Sequence, residues 1–287
     1  MQKILHEPWG IRAPRHSVDW TARLDALPGD IKAEYHSLHD QQCRFVERGR
    51  NIPAQLERRW YEFLGKQPIA GVVHSRKYAC ILDSAVAVIA IARAAGISGP
   101  ILDVGSHIGY HLDLYDQIGG FHTIGVERSL GAVQTAREAL GARPRISLLH
   151  ADIGRGIDVA PVELVTCVDA FPHERAGLTV FLKTILGVLR DQGLIILSGG
   201  LTAIPRGDLS EACKQLGLGM LLQDVTGGWR GDVGDYRGGT LLVLQRNAAA
   251  VPRNLYIDWT DDFPEYANSP LTPWHEKTQA FYRSRFH

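Results

Sequence analysis

The sequence predicts a doubly wound α/β fold: a mostly parallel sheet closed by a terminal antiparallel hairpin, with helices ahead of it. Three observations carry this reading. From Gly99 onward, short apolar runs alternate with helix-length stretches, the pattern of successive βαβ units. The first run, Ile101-Leu102-Asp103-Val104, passes into a glycine turn, Gly105-Ser106-His107-Ile108-Gly109, that opens a helical stretch. The last two apolar runs, 219–225 and 240–244, flank a Gly-rich segment with no helix between them, so they should pair antiparallel.

Residues 1 to 40 mix Trp, Pro, His and charge without a sustained period and read as an extended or partly helical lead-in. Apolar residues then recur every three or four positions over 41–64 and 75–95, predicting two helices that stop at Gly65 and Gly96. The second is apolar nearly all round and should be buried, and its apolar stretch at 85–95 is too short to cross a bilayer. Strands are predicted at 101–104, 123–126, 146–149, 164–168 and 194–198. Helices are predicted at 110–118, 131–140, 174–190 and 209–216. The Ala-Ala-Ala-Val-Pro stretch after Asn247 reads as a linker, and the aromatic-rich tail beyond it should pack back on the body. Three regions result: an N-terminal helical extension (1–98), a Rossmann-like domain (99–246) and a C-terminal tail (247–287).

Composition narrows the function classes. A chain of 287 residues holds one main core with appended segments, and 45% hydrophobic with 22% charged residues is ordinary for a globular protein. The 31 basic and 31 acidic residues balance, and no long basic run tracks a phosphate backbone, which disfavours nucleic acid as the main partner. Cys43, Cys80, Cys167 and Cys213 are scattered and form no C-x-x-C pair, so the zinc and redox readings fall away. The N-terminus lacks the apolar run of a secretory signal. A cytoplasmic protein with reduced thiols is the expectation.

A strand that ends in Asp103-Val104-Gly105 and turns into a helix puts backbone N–H groups at the carboxyl edge of the sheet, where ligands of open α/β sheets bind. Glu127 ends the next strand, about twenty residues past the loop, where a carboxylate can accept both hydroxyls of a ribose. Asp152 follows the third strand and Asp169 ends the fourth. Alone, each is a surface charge more often than a ligand. In order along one sheet edge, they point to a nucleoside-bearing cofactor.

This arrangement resembles the class I S-adenosyl-L-methionine (SAM)-dependent methyltransferases, over roughly residues 99–246. The family's loop reads D-x-G-x-G-x-G. Asp103, Gly105 and Gly109 match it, while His107 stands in place of the middle glycine. The resemblance implies a seven-stranded sheet and SAM as cofactor. It places the amino acid part of SAM on the loop with Ser106 and His107, the ribose on Glu127, the adenine beside Arg128, Ser129, Asp152 and Ile153, and the transferred methyl beside Asp169. The segment Asp169-Ala170-Phe171-Pro172 departs from the D/N-P-P-Y/F motif of amino-methylating enzymes, so nucleobase methylation is not carried over. A nicotinamide-binding domain ranks below, because its G-x-G-x-x-G fingerprint is absent.

Methyl transfer from a sulfonium is an in-line displacement that needs alignment, exclusion of water and, for a hydroxyl or ammonium acceptor, removal of a proton. His173, directly after the fourth strand, is the expected base, with Asp169 beside it. Tyr110 and His111 are candidates for acceptor contact, as are Trp229 and Tyr236 in the Gly-rich segment 226–239, whose glycines suit a lid. His107 and His111 lie four apart with Asp113 nearby, but no further ligand has a clear place, and no metal is expected. The leading function is methylation of an O or N atom of a small-molecule acceptor, with the N-terminal helices covering the acceptor site and a homodimer as an open assembly state. The alternatives are methylation of a protein or tRNA, which a basic stripe beside the cofactor cleft would support, and a noncatalytic protein of the same fold.

Overall fold

The computed structural model describes residues 22–48, 52–66, 69, 84–85, 87–89, 91–93, 95–172, 175–199, 204, 206–224 and 241–246. Two N-terminal helices, α1 (Gly29–Glu47) and α2 (Ala54–Leu64), stand where a single helix was expected over 41–64. The break is chemical. Pro53 sits at φ −58° and ψ 135°, an extended conformation, and the ring of a proline drives the residue before it out of the helical region. Helix α1 also begins inside the expected lead-in, with Asp30 in its first turn, where a carboxylate is favoured by the helix dipole. Residues 84, 85, 87–89 and 91–93 are helical, and Ala85, Val88, Ile89, Ile91 and Ala92 are buried, in keeping with the all-round apolar pattern of that stretch.

The sheet follows the predicted alternation. Strand β1 (Ile101–Val104) leads into α3 (Tyr110–Leu114), which continues as a π turn at Tyr115–Gly119. Next come β2 (Thr123–Glu127), α4 (Leu130–Leu140), β3 (Ile146–His150), β4 (Val162–Val168), α5 (Arg175–Val188), β5 (Leu189–Ser198), α6 (Arg206–Gln215), β6 (Leu218–Asp224) and β7 (Leu241–Arg246). The spatial order is β3-β2-β1-β4-β5-β7-β6. The first five strands are parallel, and β7 inserts antiparallel between β5 and β6. The chain steps outward from β1 through β3 and returns on the other side of β1 as β4. That reversal opens a crevice at the carboxyl ends of β1 and β4, the point where open sheets of this kind bind ligands.

Burial explains which strands were easiest to read. All four residues of β1 are buried, as expected for a central parallel strand covered on both faces, whereas the edge strand β3 is half exposed throughout. Successive side chains of β1 feed opposite layers: Ile101 packs with Ile89, Leu112 and Tyr115, and Leu102 packs with Val165, Leu182 and Ile185. A third apolar cluster, built on Leu38, Leu56, Phe63 and Leu64, belongs to the N-terminal helices.

Those helices are fastened to the sheet domain through polar contacts. The Glu62 carboxylate accepts the Ser129 hydroxyl at 2.7 Å and the Gly131 N–H at 2.7 Å, and so satisfies a free N–H at the start of α4. Nearby, Thr135 donates to the Gly65 carbonyl at 2.7 Å. Replacing Glu62 with Ala leaves the Gly131 N–H without its acceptor, and the expected loss of unfolding free energy is about 1–3 kcal/mol. Urea denaturation of the Glu62→Ala chain checks this; a midpoint equal to that of the parent would refute the docking role.

Candidate functional site

The turn after β1 is held by its own backbone. The Gly105 and Ser106 N–H groups donate to the Val126 carbonyl at 2.8 and 3.2 Å, and the Gly109 N–H donates to the Ser106 carbonyl at 2.9 Å. Gly105 lies at φ +77°, and a Cβ there would collide with the Cβ of Ala170 in the turn after β4. His107 lies at φ +49°, so the histidine that departs from the glycine pattern occupies a left-handed position, where a non-glycine residue carries strain. The strain is countered by a charge-assisted bond: the His107 N–H donates to Glu127 Oε2 at 3.0 Å.

Glu127 ends β2, is 7% exposed, and receives the Ser129 N–H on its other oxygen at 2.7 Å. Each carboxylate oxygen thus takes one backbone donor, and its second lone pair stays available to a hydroxyl. That pair of acceptors fits a vicinal diol, whose hydroxyls donate. The Ser106 Oγ is buried and has no hydrogen-bond partner among the described residues, a further polar group in the turn with capacity for a ligand.

Asp103, at the heart of β1, accepts the Thr166 hydroxyl at 2.7 Å from β4. Burial pushes its carboxyl up to about 7; the Thr166 hydroxyl pulls it down, and the charge of Glu127 pushes it further up. In the unfolded chain the group ionises near its ordinary value of 3.8. Between pH 4 and 7 the folded chain therefore keeps a proton that the unfolded chain loses. The contribution of Asp103 to stability is fully present below about pH 4 and is lost as pH rises through 7. Asparagine keeps the acceptor oxygen for Thr166 and has no charge to bury. The stability of Asp103→Asn relative to the parent is expected to climb by up to ~4 kcal/mol across that window and then level off. Urea midpoints of both chains at pH 4, 5.5 and 8 measure it, and a difference independent of pH would refute it.

The other expected site residues divide. Asp152 caps the short turn Ile153–Arg155 by accepting the Gly154 N–H at 3.0 Å, and it lies at the carboxyl end of β3 next to Glu127 at the end of the paired strand β2. Asp169 is exposed at the end of β4 in a left-handed conformation at φ +55°; its N–H donates to the Ser198 carbonyl at 2.9 Å, and a Cβ on Gly199 would collide with its carboxylate. Arg128 is exposed, stands 3.7 Å from Glu57 and lies over the Tyr61 ring at 5.8 Å. Tyr110 is buried at 4% in the core cluster. His111 shares a 2.8 Å hydrogen bond with the Ser84 hydroxyl, and enclosure of its ring pushes the imidazole down to about 4, so it is neutral at physiological pH. His173, Trp229 and Tyr236, with the Gly-rich segment and the C-terminal tail, lie outside the described residues.

Helix α2 supplies residues that the sequence reading did not single out. The Tyr61 hydroxyl is raised by burial, then by Glu57, with smaller upward contributions from Asp169 and Glu127 against a lowering by Arg128. Arg128 and Ser129, just past the end of β2, contact Glu57, Tyr61 and Glu62, so α2 stands by the carboxyl edge of the sheet. A cavity of about 710 Å³ runs between the N-terminal helices and the ends of β2 and β3. Its charged lining comprises Arg58, Arg59, Lys66, Arg128 and Arg155 with His150, against Glu34, Glu62 and Asp152. Nothing local in the sequence joins residues near 60 to residues near 150, and the only early sign was the amphipathic character of α2.

Residues 102–197 match a family described as a methyltransferase domain. Among curated proteins, none matches the chain. Among solved structures, one that is similar is a S-adenosylmethionine-dependent methyltransferase from Clostridium acetobutylicum, at 11% identity, 57% of this chain, 91% of that one and a TM-score of 0.48. Another is magnesium protoporphyrin IX methyltransferase from Synechocystis, at 16% identity, 57% of this chain, 82% of that one and a TM-score of 0.46. A third is an amino pentose methyltransferase from Micromonospora echinaspora, at 20% identity, 57% of this chain, 90% of that one and a TM-score of 0.46.

Proposed function

We propose that this chain, whose residues 102–197 match a methyltransferase domain family, is a class I enzyme that uses SAM to transfer a methyl group to an O or N atom of a small-molecule acceptor in the cytoplasm. The observation that carries the reading is Glu127: both of its oxygens are anchored by backbone donors, from His107 in the turn and Ser129 at the head of α4, and both retain a lone pair for a diol. When bound, the cofactor supplies an electrophilic methyl on a sulfonium.

The residues of the chain then take these roles. Glu127 holds the ribose hydroxyls. Asp103, Gly105, Ser106, His107 and Gly109 shape the turn that receives the amino acid part. Arg128, Asp152 and Ile153 border the adenine. Asp169 and His173, at and just after the end of β4, orient the acceptor and take its proton. Trp229 and Tyr236 are assigned to acceptor contact from their place in the Gly-rich sequence 226–239 alone. Tyr110, buried in the core cluster, and half-buried His111 are assigned to acceptor contact from the head of α3, and the neutral His111 adds no positive charge there. Helix α2 covers the crevice, a role supported by Arg128, which stands 3.7 Å from Glu57 and lies over the Tyr61 ring at 5.8 Å.

Calorimetric titration of the purified chain with SAM tests the reading. Saturable binding is expected, with the demethylated product binding as well. Absence of both heat and thermal stabilisation at millimolar SAM would leave a noncatalytic protein of this fold as the better account.

A further inference from the structure

The cavity between α2 and the ends of β2 and β3 holds charges that the cofactor does not explain. Adenosine is neutral, and SAM as a whole carries one more positive than negative charge, so a wall of cations serves neither. Yet five cationic side chains, Arg58, Arg59, Lys66, Arg128 and Arg155, line this space against three carboxylates. Two of the cations have carboxylate neighbours, Arg128 at 3.7 Å from Glu57 and Arg155 at 3.9 Å from Asp152. Arg58, Arg59 and Lys66 are exposed and make no ion pair with any described residue. One of the carboxylates, Glu62, has its two oxygens engaged by the Ser129 hydroxyl and the Gly131 N–H.

We propose that this cavity is an anion-binding site that takes a phosphoryl-bearing ligand. A single carboxylate would be matched by one cation; three cations without an ion-pair partner among the described residues, faced by two more arginines, suit a group with several charges. Guanidinium groups bind phosphoryl oxygens in paired hydrogen bonds, and lysine adds a point charge. A volume of about 710 Å³ is that of a small-molecule site, large enough for a phosphorylated metabolite or for a few nucleotides of a strand. The phosphoryl group therefore belongs either to a free molecule or to a phosphodiester backbone. Arg128 and Asp152 line this cavity and also border the proposed adenine position, so its occupant lies directly beside the cofactor crevice. The inference rests on the cofactor reading only where it excludes SAM as the anion's owner.

Titration of the full-length chain with tripolyphosphate and, separately, with a short single-stranded oligoribonucleotide tests it. Binding that weakens with added salt is expected for at least one of the two probes. The triple variant Arg58→Gln/Arg59→Gln/Lys66→Gln should bind that probe at least ~10-fold more weakly. Lys214→Gln on α6, remote from the cavity, should bind it as the parent does. Circular dichroism melts of the variants keep loss of charge distinct from loss of fold. Tighter binding of the oligoribonucleotide assigns the phosphoryl to a strand, and binding of tripolyphosphate alone assigns it to a free molecule; both support the site. Binding of neither probe by the parent, or equal binding by a folded triple variant, overturns it. SAM titrated in parallel separates the two claims: a parent chain that binds the phosphoryl probe but not SAM keeps this site and loses the proposed function.

Discussion

Glu127→Gln is expected to weaken SAM binding by about a hundredfold, because hydrogen bonds to a charged group are worth about 1.5–3 kcal/mol each and this one residue offers two acceptors to the ribose. The amide also damages the turn. A carboxylate accepts on both oxygens, and Glu127 uses one for the His107 N–H and the other for the Ser129 N–H. Glutamine has one acceptor oxygen, and its NH2 would face one of those donors. The left-handed His107 then loses either its own anchor or that of the neighbouring helix head. Calorimetry gives the affinity, and a melt of the same sample shows how much of the loss comes from a loosened turn. A dissociation constant within threefold of the parent's would remove Glu127 from the site.

Gly105→Ala is expected to cost about 2–4 kcal/mol of stability, from about 1–2 for an L-residue in the left-handed region and the rest from overpacking. The backbone there lies at φ +77°, and the added methyl would collide with Ala170. The β1 and β4 turns cannot both stay in place, and they are the turns that form the crevice, so SAM binding should be lost with the stability. The double variant Gly105→Ala/Ala170→Gly removes the collision but keeps the strained φ. It should recover the overpacking part alone, and a double-mutant cycle measured by urea denaturation isolates it. A cycle with no coupling between the two positions would show that the turns adjust independently.

Much of this fold was legible because buried parallel strands leave continuous apolar runs. The predicted 101–104 coincides with Ile101–Val104, and the acidic residues at strand ends follow once the strands are placed. The hairpin was legible from an absence, since no helix fits between its runs, although nothing in the runs said that β7 would lie between β5 and β6. The N-terminal helices were misread because the apolar period continues across the break, while Pro53, one residue, decides it. Strand β5 begins at Leu189 rather than 194, where helix had been expected to 190, because Leu189 pairs with Val162 ahead of a register shift. The roles of Glu62, Tyr61, Arg58 and Arg59 were not legible at all. Their neighbours lie far along the chain, and a carboxylate that caps a remote helix looks in sequence like any exposed acid.

The acid that fastens α2 also constrains the order in which the protein is made. The partners of Glu62 lie 67 and 69 residues further on, at Ser129 and Gly131. While the chain is being synthesised, helices α1 and α2 emerge ahead of the surface they dock on, since β2 and the head of α4 lie further along the chain. They wait with only their own small cluster, built on Leu38, Leu56 and Phe63, to hold them together. Docking of the N-terminal helices therefore has to follow synthesis of the domain they dock on, and a long contact of this kind is slow to close.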